Sequence, residues 1–343
     1  MKQTPKLLET KALYAGLVCA VISFLLGLVV FWGTTVPILK PGVSLGSLTI
    51  VFGPLAALVV YVVAIVTGGT VTGLRELVRI SALTRVWVLA LAHSMLTFLV
   101  VGGLFLIINK AFLGATIDVW GASVAIAASV GAMAHWTFLA AAQMNSQRVA
   151  QLLTQFLVSG TLVSILTAGN EQWWNMHFSS LGADNGISGH TFNITLILGG
   201  LIIVGLSKYI VDDFNVILHK NSDRKKFKTN LLQIFLAGIG VMLACVGLFV
   251  YDEFPTIHNL SAYGMAVLFI VVVALLPWLT PRLPKVLYGM SFGLAAAVVF
   301  CYWLFAGIHY LNLTMFELFG SVLVFVWLIL FVRHISALVR TTK

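Results

Sequence analysis

Long apolar runs, each bounded by charged or turn-forming residues, follow one another down the chain. A bilayer core of about 30 Å takes about 20 consecutive apolar residues as a helix. Ten runs of that length occur, near Leu13–Trp32, Gly46–Val66, Val86–Ile108, Val119–Ala142, Val149–Thr167, Thr191–Ile210, Leu231–Tyr251, Leu260–Leu279, Val286–Ala306 and Thr314–Val332. The pattern predicts an all-α fold, a polytopic transmembrane helix bundle of ten spans. The first run follows Lys2, Lys6 and Lys11, like the basic start of a signal peptide. It is too long for a secretory apolar region, and Phe31-Trp32 ends it with no small-x-small cleavage site, so it is read as a retained span.

Composition agrees with the pattern. Apolar residues fill 60% of 343 positions and charged residues 9%, and mean hydropathy is +1.04, which no water-soluble globular domain sustains.

Charge then orients the spans. With ten crossings both termini share a side. That side collects Lys2, Lys6, Lys11, Arg75, Arg79, Arg85, Arg148, Lys208, Lys220, Arg224, Lys225, Lys226, Lys228, Arg282, Lys285, Arg333, Arg340 and Lys343, which is 18 of the 20 Lys and Arg. Lys40 and Lys110 alone fall opposite. The positive-inside rule makes the first side cytoplasmic, with both termini on it, and one helix more or fewer spoils the asymmetry. The net charge of +9 therefore calls for no nucleic-acid partner. The segment 220–228 reads as a topology anchor, or as a contact for anionic headgroups. Cys19, Cys245 and Cys301 lie in or at the ends of spans with no CxxC pair, so neither a disulfide framework nor a cysteine metal site is expected. No Walker motif is present, so ATP-driven work would need a partner protein.

No internal repeat is visible, which weighs against the inverted-repeat transporter architectures. The outer loops change character along the chain: Thr34–Leu45 and Asn109–Asp118 are short and bland, whereas Ala168–His190 is long and rich in Trp, His, Asn and acids. This divides the chain into a four-span part, residues 1–145, and a six-span part, residues 146–343.

An ionisable group at membrane depth marks function by default, because burying its charge costs several kcal/mol. His93 and His135 lie in adjacent spans and are either neutral imidazoles bonded between helices or a relay or ligand pair. No Asp or Glu sits mid-membrane, which counts against a cation- or proton-coupled carrier; Glu317 comes closest, about one turn into the last span. Gln151, Gln155 and Ser159 recur every four residues on one helix face, as glue between helices or as one wall of a polar cavity.

The outer side of the six-span part carries the most chemistry. The first loop runs from Glu171 through Trp173, Trp174, His177, Ser179, Gly182 and Asp184 to His190 and Asn193; the next holds Asp252, Glu253 and His258; the last leads through His309 to Glu317. Four of the eight histidines and, with Asp118 of the four-span part included, six of the eleven acids lie at this one membrane surface. Imidazole with carboxylate is the ligand set of zinc and other hydrolytic metals, but no HExxH or HxH occurs. The two tryptophans suit an interfacial aromatic belt. A polar-headgroup site at the lipid boundary uses the same residues.

The order of these elements, a Ser-Ser-Leu-Gly loop, Phe-Asn opening the next span, an acidic turn with Phe-Pro, then His-Asn at a helix start, resembles a known family. It is the six-span family that includes the damage-regulated autophagy modulators and proteins linked to phosphoinositide and GPI-lipid handling, and the bacterial members are the most similar. The resemblance covers Arg148 to Val332. Phe178-Ser179-Ser180-Leu181-Gly182 fills the place of the family's Ile-Ser-x-x-Gly element, and His258 that of its helix-start histidine; a Pro pair common after the first element is missing. The resemblance implies a setting in membrane lipid biology.

The resulting expectation is a multi-pass protein of a bacterial plasma membrane whose six-span part binds a lipid headgroup or lipid-linked substrate at the extracytoplasmic leaflet, supporting envelope lipid handling. The expected site is His177, Ser179, Asp184, His190, Asn193, Asp252, Glu253 and His258, and the expected partners are membrane lipids. Three alternatives stand beside it. One is a small-solute permease lined by Gln151, Gln155, His93 and His135. Another is a metal-dependent hydrolase using the outer cluster, and the last is a subunit of a larger membrane complex.

Overall fold

A computed structural model describes residues 4–67, 86–217, 223–280 and 283–342. Of the basic residues used for orientation, Lys2, Arg75, Arg79, Arg85, Lys220, Arg282 and Lys343 lie outside the described residues. Ten helices long and apolar enough to cross a membrane are present among them: α1 (Pro5–Phe31), α2 (Leu45–Thr67), α3 (Val88–Ala111), α4 (Val119–Ala142), α5 (Ser146–Leu166), α6 (Ile187–Ile217), α7 (Asp223–Leu248), α8 (Pro255–Leu279), α9 (Lys285–Tyr302) and α10 (Leu313–Thr342). The protein is an all-α, multi-pass membrane protein, as its apolar pattern predicts. Several helices outrun their apolar cores. α6 has 31 residues, about 46 Å at 1.5 Å per residue, because polar residues beyond the lipid edge end a hydropathy run without breaking a helix.

Many large apolar side chains, among them Leu13, Leu17, Val29, Val59 and Val299, are exposed. On a lipid-facing surface such exposure costs nothing, since lipid tails are as apolar as leucine. Close packing therefore rests on small residues and polar bonds.

Backbone contacts divide the chain into two compact units, residues 1–144 and 145–343. In the first, α4 packs against both α1 and α2, and α3 packs against α2. The side chain of Asp118 caps α4 by accepting from the Trp120 and Gly121 N–H groups. The loops before α2 and α4, bland in sequence, meet as a short antiparallel pair, β1 (Val36–Pro37) with β2 (Thr116–Ile117). Beneath that bridge Phe31, Val36, Ile38, Leu45, Phe105 and Ile126 form an apolar cluster.

The first unit keeps His93 and His135 apart. His93 is buried, its Nδ1 is 2.8 Å from the Leu89 carbonyl, and its ring lies 5.0 Å from that of Tyr61 on α2. His135 faces Glu9 of α1, Nε2 to Oε1 3.6 Å. The two imidazoles belong to different helix contacts, because α3 and α4, though consecutive, do not pack on each other, and they form no pair.

In the second unit α6 is central, packed by α5, α7 and α10, while α8 and α9 extend the bundle from α7 and α10. Asn145 caps α5 through the Arg148 N–H. At the α6/α7 seam backbone meets backbone: a Cβ on Gly200 would lie 2.3 Å from the Gly240 carbonyl oxygen, and one on Gly240 would lie 2.5 Å from that of Gly200. Between α8, α9 and α10, Trp327 is fully buried, crosses Phe269 edge-on, stacks on Phe331 and donates from Nε1 to Ser291 Oγ at 2.9 Å. Gln151 and Gln155 point outward from α5, while Leu152, Leu153, Phe156 and Leu157 face the core. The amide stripe therefore lines no interior wall of this unit.

Candidate functional site

The long loop between α5 and α6 folds as two short 3-10 turns, Trp173–Asn175 and Phe178–Ala183. Its glycines are placed where the backbone must come close. A Cβ at Gly182 would meet Asn193 Oδ1 at 2.4 Å, and one at Gly189 would meet the Asp184 carbonyl oxygen at 1.8 Å. The Ser-Ser-Leu-Gly segment can thus lie directly on the start of α6, where Asn193 Nδ2 donates to the Gly182 carbonyl at 2.9 Å.

Asp184 closes the loop. Its Oδ2 accepts from Gly169 N–H at 2.8 Å and its Oδ1 from Gly186 N–H at 2.6 Å, which ties the end of α5 to the start of α6. From the last helix, Glu317 accepts from the backbone N–H groups of Phe178 and Ser179, the latter at 3.2 Å. Glu317 belongs to no expected ligand set, yet it anchors the loop. Its sequence signal was there: an acid one turn inside an apolar span has to find donors.

Around this frame the turn between α7 and α8 supplies aromatic and imidazole groups. His177 Nδ1 is 3.0 Å from Ser179 Oγ, and its ring lies 4.6 Å from that of Tyr251. Tyr251 in turn meets His258 edge-on at 5.7 Å. His258 is buried at 4% exposure with Nδ1 2.8 Å from the Phe249 carbonyl, so it braces its own turn. Ser179 is likewise buried. His190 and Glu253 are exposed and take no part in this cluster.

Beside the cluster opens a cleft of about 200 Å³ lined by Asn170, Trp173, Met176, Ser180, Asp184 and Asp252, together with Ala168, Leu181 and Ala183. Of the eight expected residues, Asp184 and Asp252 line the cleft. His177, Ser179, Asn193 and His258 build its supports. Asn170, Trp173 and Ser180 line it without having been expected as ligands. Among the described residues no group of three His, Cys, Asp or Glu side chains is arranged to hold a metal ion.

Burial holds the His177 pKa below the usual 6.5, with nearby His258 pushing the same way and Asp252 opposing. The imidazole is neutral at pH 7. As the pH falls below 6.5 the unfolded loop takes up a proton that the folded loop resists, so loop stability declines from about 6.5 down to the lowered folded value and then levels off. Amide exchange at residues 177–184, followed between pH 7.5 and 5, is expected to quicken over that window. His177→Gln is expected to flatten the response.

No curated protein and no solved structure matches the chain. Residues 152–334, more than half of it, match the family described as a protein of unknown function, DUF998. The matched segment runs from the first turns of α5 to the last turns of α10 and contains the loop, the cleft and Glu317, and the chain belongs to the DUF998 family.

Proposed function

We propose that the six-span unit binds a lipid headgroup or lipid-linked substrate in the cleft between the α5–α6 loop and Asp252, at the extracytoplasmic leaflet. The observation that carries this reading is the position, at the ends of membrane helices, of a cleft that sets carboxylate and amide groups in a largely apolar lining. Trp174 and Met176 are exposed next to a lining that includes two carboxylates and an amide. A headgroup entering from lipid finds polar partners there while its chains stay along the apolar helix surface. The charge asymmetry of the loops supports the outer leaflet, and the resemblance of Arg148 to Val332 to lipid-handling six-span proteins supports the ligand class. The exposed placement of Gln151 and Gln155 and the separation of His93 from His135 give a permease path no wall within either unit.

Native mass spectrometry of the gently extracted protein tests this. Lipid is expected to stay bound to the native chain and to be lost from Ala168→Trp, which puts an indole into the cleft. Equal retention by the two proteins overturns the site.

A further inference from the structure

We infer that the group recognised in the cleft is an alkylammonium, so that the headgroup bound at this site is amine-bearing; this rests on the proposed headgroup site. The lining is unbalanced in charge and in hydrogen-bond character. Asp184 and Asp252 bring two carboxylates, and no Lys, Arg or His lines the cleft. The imbalance extends to the whole outer surface of the unit: residues 168–190, 249–259 and 307–317 hold Glu171, Asp184, Asp252, Glu253 and Glu317 and not one Lys or Arg.

The polar groups point the same way. Asp184 accepts two backbone N–H bonds and still has lone pairs for a further donor. Ser180 gives its proton to the Trp173 carbonyl at 3.2 Å, leaving oxygen lone pairs. Trp173 is also among the lining residues, and indole is the best of the side-chain rings for a cation. A phosphate or carboxylate in the same place would meet two like charges with no cation to offset them, which costs affinity. A site that holds a metal by three or more His, Cys, Asp or Glu side chains is not formed among the described residues. An ammonium group uses what is present, donating to the carboxylates in charge-assisted bonds and lying against the indole.

The experiment offers the purified full-length chain phosphatidylethanolamine and phosphatidylglycerol of matched acyl chains, and reads retained lipid by native mass spectrometry. Phosphatidylethanolamine is expected to be retained at least about ten-fold over phosphatidylglycerol. Asp252→Asn is expected to cut that preference about ten-fold, a change of about 1.4 kcal/mol, and Asp252→Glu to keep most of it. Glu171→Gln removes the same charge outside the cleft and is expected to change it less than about two-fold. The Asp252 variants are at an exposed turn, and a thermal melt matching the native chain shows they are folded. Phosphatidylglycerol held as well as phosphatidylethanolamine, lost in Ala168→Trp and indifferent to Asp252→Asn, overturns the ammonium inference and leaves the headgroup site standing. If no lipid is retained but ethanolamine binds in calorimetry to the native chain and not to Asp252→Asn, ammonium recognition holds and the lipid source falls. Binding of neither overturns both.

Discussion

Replacing Glu317 with leucine is expected to free the Phe178–Ala183 turn and to lower stability by about 3 kcal/mol. The carboxylate accepts two backbone N–H groups from a segment whose neighbouring serine is buried. Bonds to a charged acceptor contribute about 1.5–3 kcal/mol each, and leaving the donors buried and unpaired costs a similar amount. Two such losses exceed what leucine gains in lipid, so the sign is not in doubt. Glutamine at 317 keeps a carbonyl acceptor and should recover about half of the loss. Hydrogen exchange separates this from general damage: the amides of 178–183 should exchange much faster in Glu317→Leu, while those at the centre of α6 change little. Uniform acceleration through the unit would show instead that Glu317 supports the bundle as a whole.

The second large effect is expected at the α6/α7 seam. Alanine for Gly200 gains up to about 1 kcal/mol of helix propensity, but its Cβ would stand 2.3 Å from the Gly240 carbonyl oxygen and 2.7 Å from Ala244 N. Both are backbone atoms, so no rotamer change relieves the clash and the helices must part. Overpacking costs about 1–3 kcal/mol where side chains can yield. With backbone on both sides the upper end applies, and a net loss of about 2–3 kcal/mol is expected on thermal unfolding in detergent. Gly240→Ala should cost about as much. The double variant should cost clearly less than the sum, because one displacement of the helices accommodates both methyl groups. Full additivity would mean that the two glycines do not share a contact.

The seam also bears on the cleft. A Cβ at Gly247 would lie 2.7 Å from the Asn193 carbonyl oxygen, so the close approach of α7 to α6 continues up to the residue whose side chain holds the Gly182 carbonyl. Affinity for the proposed headgroup should therefore respond to helix packing some distance from the cleft.

How much of this was legible in the chain follows from what each residue's pattern reports. The ten spans were readable because lipid demands a length of apolar sequence, and Val119–Ala142 is the same segment by hydropathy and by structure. The overhangs of α1, α6 and α10 were not, since hydropathy falls where lipid ends and helix does not. Outer polar residues were countable, but their roles were not. Asp184 and Asp252 line a cleft, whereas His258 turns inward to a carbonyl and His190 stays exposed. A histidine's orientation depends on which acceptor the fold brings near, and that is a long-range fact. Glu317 stands out in the sequence for its depth, but its partners at 178 and 179 are far away in sequence. Likewise His93 and His135 looked like neighbours because spans three and four are consecutive, while α4 in fact packs on α1 and α2.

That last arrangement has a consequence for biosynthesis. The chief partner of α1 is α4, with Gly16 and Gly131 backbone to backbone, and not the α2 that follows it. As the chain emerges, the first helix must wait in the bilayer with its small-residue face unfilled until Val119–Ala142 has been made. The β1 edge at Val36–Pro37 waits with it, for β2 precedes α4 directly. Assembly of the first unit is thus a late, single closure of helix and loop together. A ribosome stalled before residue 119 would leave in the membrane a set of spans open to capture by any insertion chaperone that reads exposed glycine faces.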